Sequence, residues 1–309
     1  MEIPMIRHLS LILFIASFPI LGDFSMAQEQ INLSPSEQLA YSTVRIEVQL
    51  SNGIGTGTGF FFSFLQDTAS NVPAIVTNKH VVKGALKGKI ILTSTKPDGY
   101  PDPSLKIPVM FDNFESMWIL DPDPAVDLAI MPIAPLLSQA HSKNFTPFFR
   151  SFDKSIVPSE DALKQLTAIE DIIMIGYPVG IWDEFNNYPI FRKGITATHP
   201  AYRYEGRDEF MIDAACFPGS SGSPVLLFNV GSYATKNGGT VIGSRILLLG
   251  VLYAGPEYNA EGELKIVPIP QRQDTISLTR IPVNLGNVIR SSRILDFEPL
   301  LQNLIKQKH

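Results

Sequence analysis

The chain has 309 residues, 45% of them hydrophobic, which is enough to bury the core of one large domain or of two packed lobes. Lysine and arginine number 25 against 30 aspartates and glutamates, giving a net charge of −5. The charges form no long run of one sign, so a nucleic-acid partner is not expected. Cys216 is the single cysteine, which excludes an internal disulfide.

The first 27 residues have the pattern of a removable export signal. Arg7 and His8 precede an apolar run from Leu9 to Leu21, and Ser25 to Ala27 has the small-x-small form of a signal-peptidase site. The run is shorter than the roughly 20 residues that span a bilayer. We therefore predict cleavage after residue 27, a mature chain of residues 28–309 without stable membrane insertion, and a periplasmic or secreted location. A retained membrane anchor is the alternative.

Strand-like patterns follow the leader. Ser34 to Glu37 has capping-box spacing and predicts a short helix through Tyr41. Apolar residues alternate with polar ones from Val44 to Leu50, as in a half-buried strand. The glycine-rich stretch from Gly53 to Gly59 precedes Phe60 and a second strand rather than a helix. It therefore predicts a hairpin and not a phosphate-binding loop.

Many short apolar runs are separated by proline and glycine, which favours an all-β architecture closed into barrels. Turns are expected at residues 97–99 and 101–103, a polar connection over 134–166 with a short helix at 159–163, and a closing helix at 296–306. Further strands are expected at residues 74–80, 89–92, 171–176, 194–198, 210–214, 225–228 and 246–253.

The stretch from Phe217 to Val225 reads F-P-G-S-S-G-S-P-V. A serine held between glycines on a tight turn exposes its hydroxyl and leaves neighbouring N–H groups free to bind an anion. Such a serine needs a histidine base and a carboxylate that orients it. His80, after an apolar run, and Asp127, within a strand-like apolar pattern, are the candidates.

Three motifs appear in the order His, Asp, Ser: T-N-K-H-V ending at Val81, V-D-L-A-I starting at Val126, and D-A-A-x-x-P-G-x-S-G-x-P starting at Asp213. With the I-G-x-P-x-G segment ending at Gly180, they resemble the trypsin-like serine peptidases, and within them the HtrA/Deg-type bacterial branch. The resemblance covers roughly residues 40–290. A PDZ domain, usual in that branch, is not expected, because little chain follows the peptidase region.

The resemblance implies two six-stranded antiparallel β-barrels, with peripheral helices and the site in the cleft between them. The N-terminal barrel is expected over about 40–135, a linker over 136–168, the C-terminal barrel over 169–290 and the closing helix over 296–306, all within the peptidase domain of residues 28–309.

The resemblance also implies site roles. Ser221 would be the nucleophile, His80 the base and Asp127 its orienting carboxylate, with the N–H groups of Gly219 and Ser221 as the oxyanion hole. Ala215 would form the floor of the specificity pocket and favour small or medium apolar side chains at the cleaved bond. Polypeptides would be the substrates, and no metal or organic cofactor is implied.

Several alternatives stay open. Ser220 and Ser223 compete with Ser221, although the glycine spacing selects Ser221. Lys79 and Ser223 depart from the family pattern, and they support a second hypothesis, a catalytically silent fold that binds peptides or proteins. An esterase of the α/β-hydrolase kind is disfavoured, because its nucleophile precedes its other two triad residues in the chain. His141 and His199 are expected to be structural or exposed, and Cys216 to be a buried apolar residue.

Overall fold

The computed structural model describes residues 33–66, 71–260 and 279–307. The predicted export signal, residues 1–27, lies outside these ranges. In the described ranges, no helix is long and apolar enough to cross a membrane.

The first part of the described chain forms a sheet of nine strands. Its main path runs in the order β5-β4-β1-β2-β3-β7-β6, with β8 paired to β4 and β9 to β2. The strands are β1 Thr43–Leu50, β2 Gly53–Phe64, β3 Val72–Thr77, β4 Lys87–Thr95, β5 Pro101–Asp112, β6 Ile119–Leu120, β7 Ala129–Pro132, β8 Pro147–Phe148 and β9 Phe152–Asp153.

The second part closes into a six-stranded barrel in the order β10-β11-β12-β19-β16-β13, with two small hairpins, β14-β15 and β17-β18, beside it. The strands are β10 Asp171–Gly176, β11 Ile190–Thr196, β12 Glu209–Asp213, β13 Pro224–Asn229, β14 Ser232–Ala234, β15 Thr240–Ile242, β16 Arg245–Ala254, β17 Glu257–Ala260, β18 Thr279–Pro282 and β19 Leu285–Arg290. We call the nine-stranded sheet the first lobe and this barrel the second lobe.

The helices are short and peripheral. They are α1 Pro35–Leu39, α2 Lys79–Val82, α3 Ala134–Ser142, α4 Glu160–Lys164 and α5 Phe297–Lys306, with short 3₁₀ helices at Phe114–Met117, Lys154–Ile156, Pro178–Gly180 and Ser291–Asp296. The predicted capping box is confirmed, because the Ser34 side chain accepts from the Glu37 N–H and the Glu37 side chain accepts from the Ser34 N–H.

The predicted all-β class with short helices and a C-terminal helix is confirmed, and it corresponds to a chymotrypsin-like fold. The strand ladder of the first lobe is an open path ending at β5 and β6, whereas the second lobe closes. The turn expected at residues 101–103 is wrong: Pro101 and Pro103 lie in β5. Since β5 is an edge strand of the main path, prolines there interrupt no inner ladder.

Each lobe has an apolar cluster of its own, and a further cluster spans the two lobes. Phe60 and Phe62 of β2 are fully buried beside residues of the barrel, and Phe297 of α5 lies 6.5 Å from Phe64, ring centre to ring centre. This cluster of buried residues includes Phe60, Phe62, Phe64, Val76, Leu128, Ile130, Ile175, Leu226, Leu248, Val251, Ile289, Phe297 and Leu301. This cluster packs strands of the first lobe against the barrel of the second.

Candidate active site

Ser221 lies on the turn that enters β13. Gly219 and Gly222 on either side of it have φ angles of +88° and +87°. A Cβ at Gly222 would overlap the carbonyl oxygen of Thr58. The Thr58 N–H donates to the Ser221 carbonyl at 2.8 Å, so the turn is fastened directly to β2. Glycine is required at 222 by both the backbone conformation and the close approach of β2.

His80 stands on α2, three residues after β3 ends at Thr77. The strand expected over 74–80 therefore stops earlier, and His80 belongs to the helical turn that follows. Asp127 lies two residues before β7 rather than inside a strand. Its Oδ2 lies 2.5 Å from His80 Nδ1, and its Oδ1 accepts the His80 backbone N–H at 3.0 Å. The carboxylate thus contacts both the ring and the backbone of one histidine.

Two residues beside His80 hold the loop that carries Asp127. The fully buried Asn78 donates from Nδ2 to the Asp127 carbonyl at 2.8 Å. Lys79 donates from Nζ to the Asp123 carbonyl at 2.6 Å. Lys79, a departure from the family pattern, is therefore neither a free solvent-facing side chain nor an obstacle near the imidazole. It ties the histidine helix to the aspartate loop.

The turn before Ser221 leaves two backbone donors free. Residues 217–220 form a type II turn. Pro218 is its second residue, Gly219 has a φ of +88°, and the Ser220 N–H donates to the Phe217 carbonyl at 2.9 Å. The Val179 N–H donates to the Pro218 carbonyl at 2.6 Å. Because C=O and N–H of a trans peptide point in opposite directions, this bond aims the Gly219 N–H the other way. Within the described residues, neither the Gly219 nor the Ser221 N–H donates to any protein group.

The three neighbouring serines differ in burial. Ser220 and Ser223 are buried at 1% and 0% exposure, whereas Ser221 is half-buried and lines a cavity. The Ser223 side chain packs against Gly176, where any Cβ would overlap its oxygen. The absence of a side chain at Gly176 therefore leaves room for the side chain of Ser223.

No hydrogen bond joins Ser221 and His80, both of which lie in the described ranges. The His80 side chain is 48% exposed, so its ring borders solvent. Contacts between nucleophile and base are often long in unliganded enzymes and tighten when substrate binds.

A cavity of about 160 Å³ opens beside Ser221. Its described lining carries no charged side chain and comprises Cys216, Phe217, Pro218, Ser221, Leu252, Ala254, Gly255, Pro256 and Leu285. Burial raises the pKa of the Cys216 thiol to about 11, so this side chain is neutral near pH 7. Ala215 is not among these lining residues, and its carbonyl accepts from Arg192 Nη1 at 2.7 Å.

The other described histidines have local partners. His141 Nδ1 lies 2.8 Å from the Leu137 carbonyl, and His199 Nδ1 accepts the Ala201 N–H at 3.1 Å. Partial burial lowers the pKa of His199. Among the described residues, no group of three or more His, Cys, Asp and Glu side chains is arranged to hold a metal ion.

Three residues that touch this machinery were not predicted from the sequence. Thr58, Asn78 and Val179 bind backbone groups of the turn or of the Asp127 loop. Asn78 lies within the T-N-K-H-V motif, two residues before His80, and could have been found there. The contacts of Thr58 and Val179 join distant segments and leave no local pattern.

A six-stranded barrel joined to a second sheet, with a C-terminal helix, is the architecture of the chymotrypsin-like fold class. The chain belongs to the trypsin-like peptidase domain family, whose model matches residues 57–231. It is accordingly a serine endopeptidase by class. No curated protein matches the chain in sequence.

Among solved structures, the chain is similar to the active form of the Rv3671c protease from M. tuberculosis, with 18% identity, a TM-score of 0.41, and coverage of 83% of this chain and 79% of that one. It is similar to the HtrA-type protease AlgW with tripeptide, with 16% identity, a TM-score of 0.44, and coverage of 87% and 62%. For the serine endoprotease from Yersinia pestis the values are 15%, 0.41, 87% and 65%. The chain thus spans somewhat less than two thirds of the last two proteins.

Proposed function

We propose that this chain hydrolyses peptide bonds with Ser221 as nucleophile, His80 as general base and acid, and Asp127 as the carboxylate that orients His80. The observation that carries the proposal is the pair of free N–H groups, Gly219 and Ser221, beside the Ser221 hydroxyl. A fold that only binds peptides has no need to keep two unpaired donors at that point. Free donors are what an oxyanion hole requires.

In the proposed reaction the Ser221 Oγ forms a bond to the scissile carbonyl carbon while its proton passes to His80 Nε2. The carbonyl oxygen becomes an oxyanion and accepts hydrogen bonds from Gly219 and Ser221. The C–N bond then breaks, and His80 returns the proton to the leaving amine. Water repeats the sequence on the acyl-enzyme and releases the acid.

Asp127 supports this cycle through the contact from Oδ2 to Nδ1, 2.5 Å. With Nδ1 holding its proton toward the carboxylate, Nε2 is left as the basic nitrogen, and the imidazolium formed during attack is stabilised by the negative charge.

We further propose that the cleaved bond follows a small or medium apolar residue. The uncharged lining of the 160 Å³ cavity beside Ser221 supports this, because no carboxylate among its described residues would pair with a lysine or arginine side chain. Cys216 and Leu285 contribute to that apolar surface. The role of Ala215 as its floor stays a prediction. We expect β16 to pair with the substrate backbone by strand addition.

We also propose that the chain is exported. This part of the proposal rests on the sequence of residues 1–27 alone. Expression with the leader in a bacterial host, followed by N-terminal sequencing of the exported protein, tests it. A mature chain beginning at Gln28 is the expected result. A full-length protein retained in the membrane fraction would refute it.

The catalytic proposal is tested by labelling the folded protein with a fluorophosphonate probe, which reacts covalently with activated serines. We expect labelling of the unchanged chain and none of Ser221→Ala or His80→Ala. Ser232→Ala, in the exposed hairpin β14-β15, is the matched control and should label normally. A folded chain that takes no label would favour the silent binding module.

A peptide library with varied residues before the cleaved bond tests the substrate proposal separately. Alanine, valine and leucine should dominate the products. Cleavage mainly after lysine or arginine would refute the assignment of the cavity.

A further inference from the structure

We propose that Thr58 is a positioning residue for the turn at residues 217–220, which we call the oxyanion turn. Its side-chain hydroxyl holds this turn so that the Gly219 N–H stays free to bind the substrate oxyanion. The inference rests on the proposed function, because it concerns how Gly219 is held. Thr58 lies on β2 of the first lobe, 161 residues before Gly219 in the chain.

The Thr58 hydroxyl is fully buried and makes two hydrogen bonds. It donates to the Gly219 carbonyl at 2.9 Å and accepts the Tyr177 N–H at 3.1 Å. Its backbone N–H donates to the Ser221 carbonyl at 2.8 Å. One residue therefore binds the nucleophile turn through both its main chain and its side chain.

These bonds close a ring that joins three segments. From Thr58 the ring passes to Tyr177, along the chain to Val179, through the Val179 N–H to the Pro218 carbonyl, and through Gly219 back to the Thr58 hydroxyl. The carbonyls on both sides of the Gly219 N–H are thus fixed, one by Val179 and the other by Thr58. The Gly219 N–H turns together with the Pro218 carbonyl, so its rotation breaks the bond from Val179, while the Thr58 bond holds the next peptide group in place.

The ring of hydrogen bonds accounts for the unusual backbone conformation of Val179. This β-branched residue has φ +52° and is 63% exposed, so its own side-chain packing does not explain a conformation that such residues rarely adopt. The bond from its N–H to Pro218 is the contact that this conformation serves. The Val179 N–H and the Thr58 hydroxyl thus hold the two consecutive peptide groups that meet at the Gly219 Cα.

Substitution of Thr58 by valine preserves the shape and removes the hydroxyl. We expect kcat to fall by about tenfold or more, with the 10²- to 10³-fold that complete loss of an oxyanion donor typically causes as the upper limit. KM should stay within about twofold, because the cavity beside Ser221 is untouched. Thr58→Ser keeps the hydroxyl and should restore at least half of the activity.

Thr196→Val is the matched control. The Thr196 hydroxyl is also buried, at 1% exposure, and it likewise accepts one N–H, that of Glu170, and donates to one carbonyl, that of Ala168. It lies away from the oxyanion turn, so the same loss of a buried hydroxyl should lower the melting temperature and leave kcat unchanged.

The experiment measures the fluorophosphonate labelling rate, kcat and KM with one apolar peptide, and thermal melting for all four proteins. Wild-type activity in folded Thr58→Val would overturn the inference, as would equal losses of kcat in Thr58→Val and Thr196→Val or absence of rescue by Thr58→Ser. If Thr58→Val does not fold, Thr58→Ala carries the same expectations. An unlabelled wild-type protein would refute the proposed function instead, so the two failures are distinct.

Discussion

We expect replacement of Gly219 by alanine to lower kcat, because the geometry of the oxyanion turn depends on glycine at this position. At φ +88°, a residue with a Cβ is strained by about 1–2 kcal/mol. The added Cβ would also stand 2.5 Å from the Tyr177 carbonyl oxygen, a backbone atom with little freedom to move. Reversal of the Pro218–Gly219 peptide relieves both problems. It costs the hydrogen bond from Val179 to Pro218, worth about 0.5–1.5 kcal/mol.

The strain and the overlap together exceed the cost of reversal, so the reversed turn should predominate. Its N–H at position 219 points away from the substrate oxygen. Loss of one such donor raises the barrier by about 2.7–4 kcal/mol, and we expect kcat of Gly219→Ala to fall about 10²- to 10³-fold with little change in KM. Relief by reversal limits the loss of stability to about 0.5–1.5 kcal/mol, or roughly 1–6 °C in melting temperature.

The assay compares Gly219→Ala with Gly238→Ala by peptide hydrolysis and thermal melting. Gly238 has φ +81°, and a Cβ added there would meet no heavy atom within 4 Å, so this position reproduces the backbone strain without the overlap and far from Ser221. Gly238→Ala should melt lower and keep full kcat. Full activity in Gly219→Ala, or an equal loss in Gly238→Ala, would refute the reasoning.

Three further changes test other parts of the site. Asp127→Asn should lower kcat about 10⁴-fold with the fold intact, since the amide would hold the wrong imidazole tautomer; unchanged kcat in a steady-state assay would exclude Asp127 as the orienting group. Lys79→Met should lower kcat by about two- to fivefold, because a surface contact such as that to Asp123 is worth up to about 1 kcal/mol, and a loss beyond tenfold would contradict a merely supporting role. Cys216 should be alkylated at pH 8 on the order of 10²-fold more slowly than an unperturbed cysteine, because its pKa of about 11 leaves little thiolate. Mass spectrometry of timed samples measures the rate of alkylation. Rapid alkylation of the folded protein would contradict the largely buried environment of the thiol.

The sequence predicts the candidate catalytic residues, but it does not predict most of the residues that hold them in place. Ser221 could be chosen over Ser220 and Ser223 from glycine spacing, and the structure leaves Ser221 as the half-buried serine beside a cavity. The sequence also indicates His80 and Asp127, but it places both within strands. In the structure His80 follows the end of β3, and Asp127 precedes the start of β7. Local patterns define the residue types, whereas the ends of strands depend on pairing with distant partners.

The helix α3 and the short strands β8 and β9 were not predicted within the polar connection at 134–166. The helix α3 buries only Leu136 and Ala140, too few residues to give a clear helical period in the sequence. The hydroxyl of Thr58 is the sharper example. Its partner, Gly219, is 161 residues away, and threonine within a glycine-rich hairpin carries no local sign of that contact.

The apolar cluster common to the two lobes also bears on when the candidate site can be completed, because some of its members lie near the end of the chain. The ribosome delivers Ser221 before β16, β19 and α5, yet the Gly222 N–H binds the Leu252 carbonyl of β16, and Phe297 and Leu301 of α5 complete the core beneath β2. The turn at Ser221 has partners in Thr58 and Val179, which precede it in the chain, but it lacks its contact with β16 until that strand has joined the barrel. We therefore expect the candidate site to be complete only after the C-terminal helix has packed, so that any peptide hydrolysis follows the folding of the whole domain.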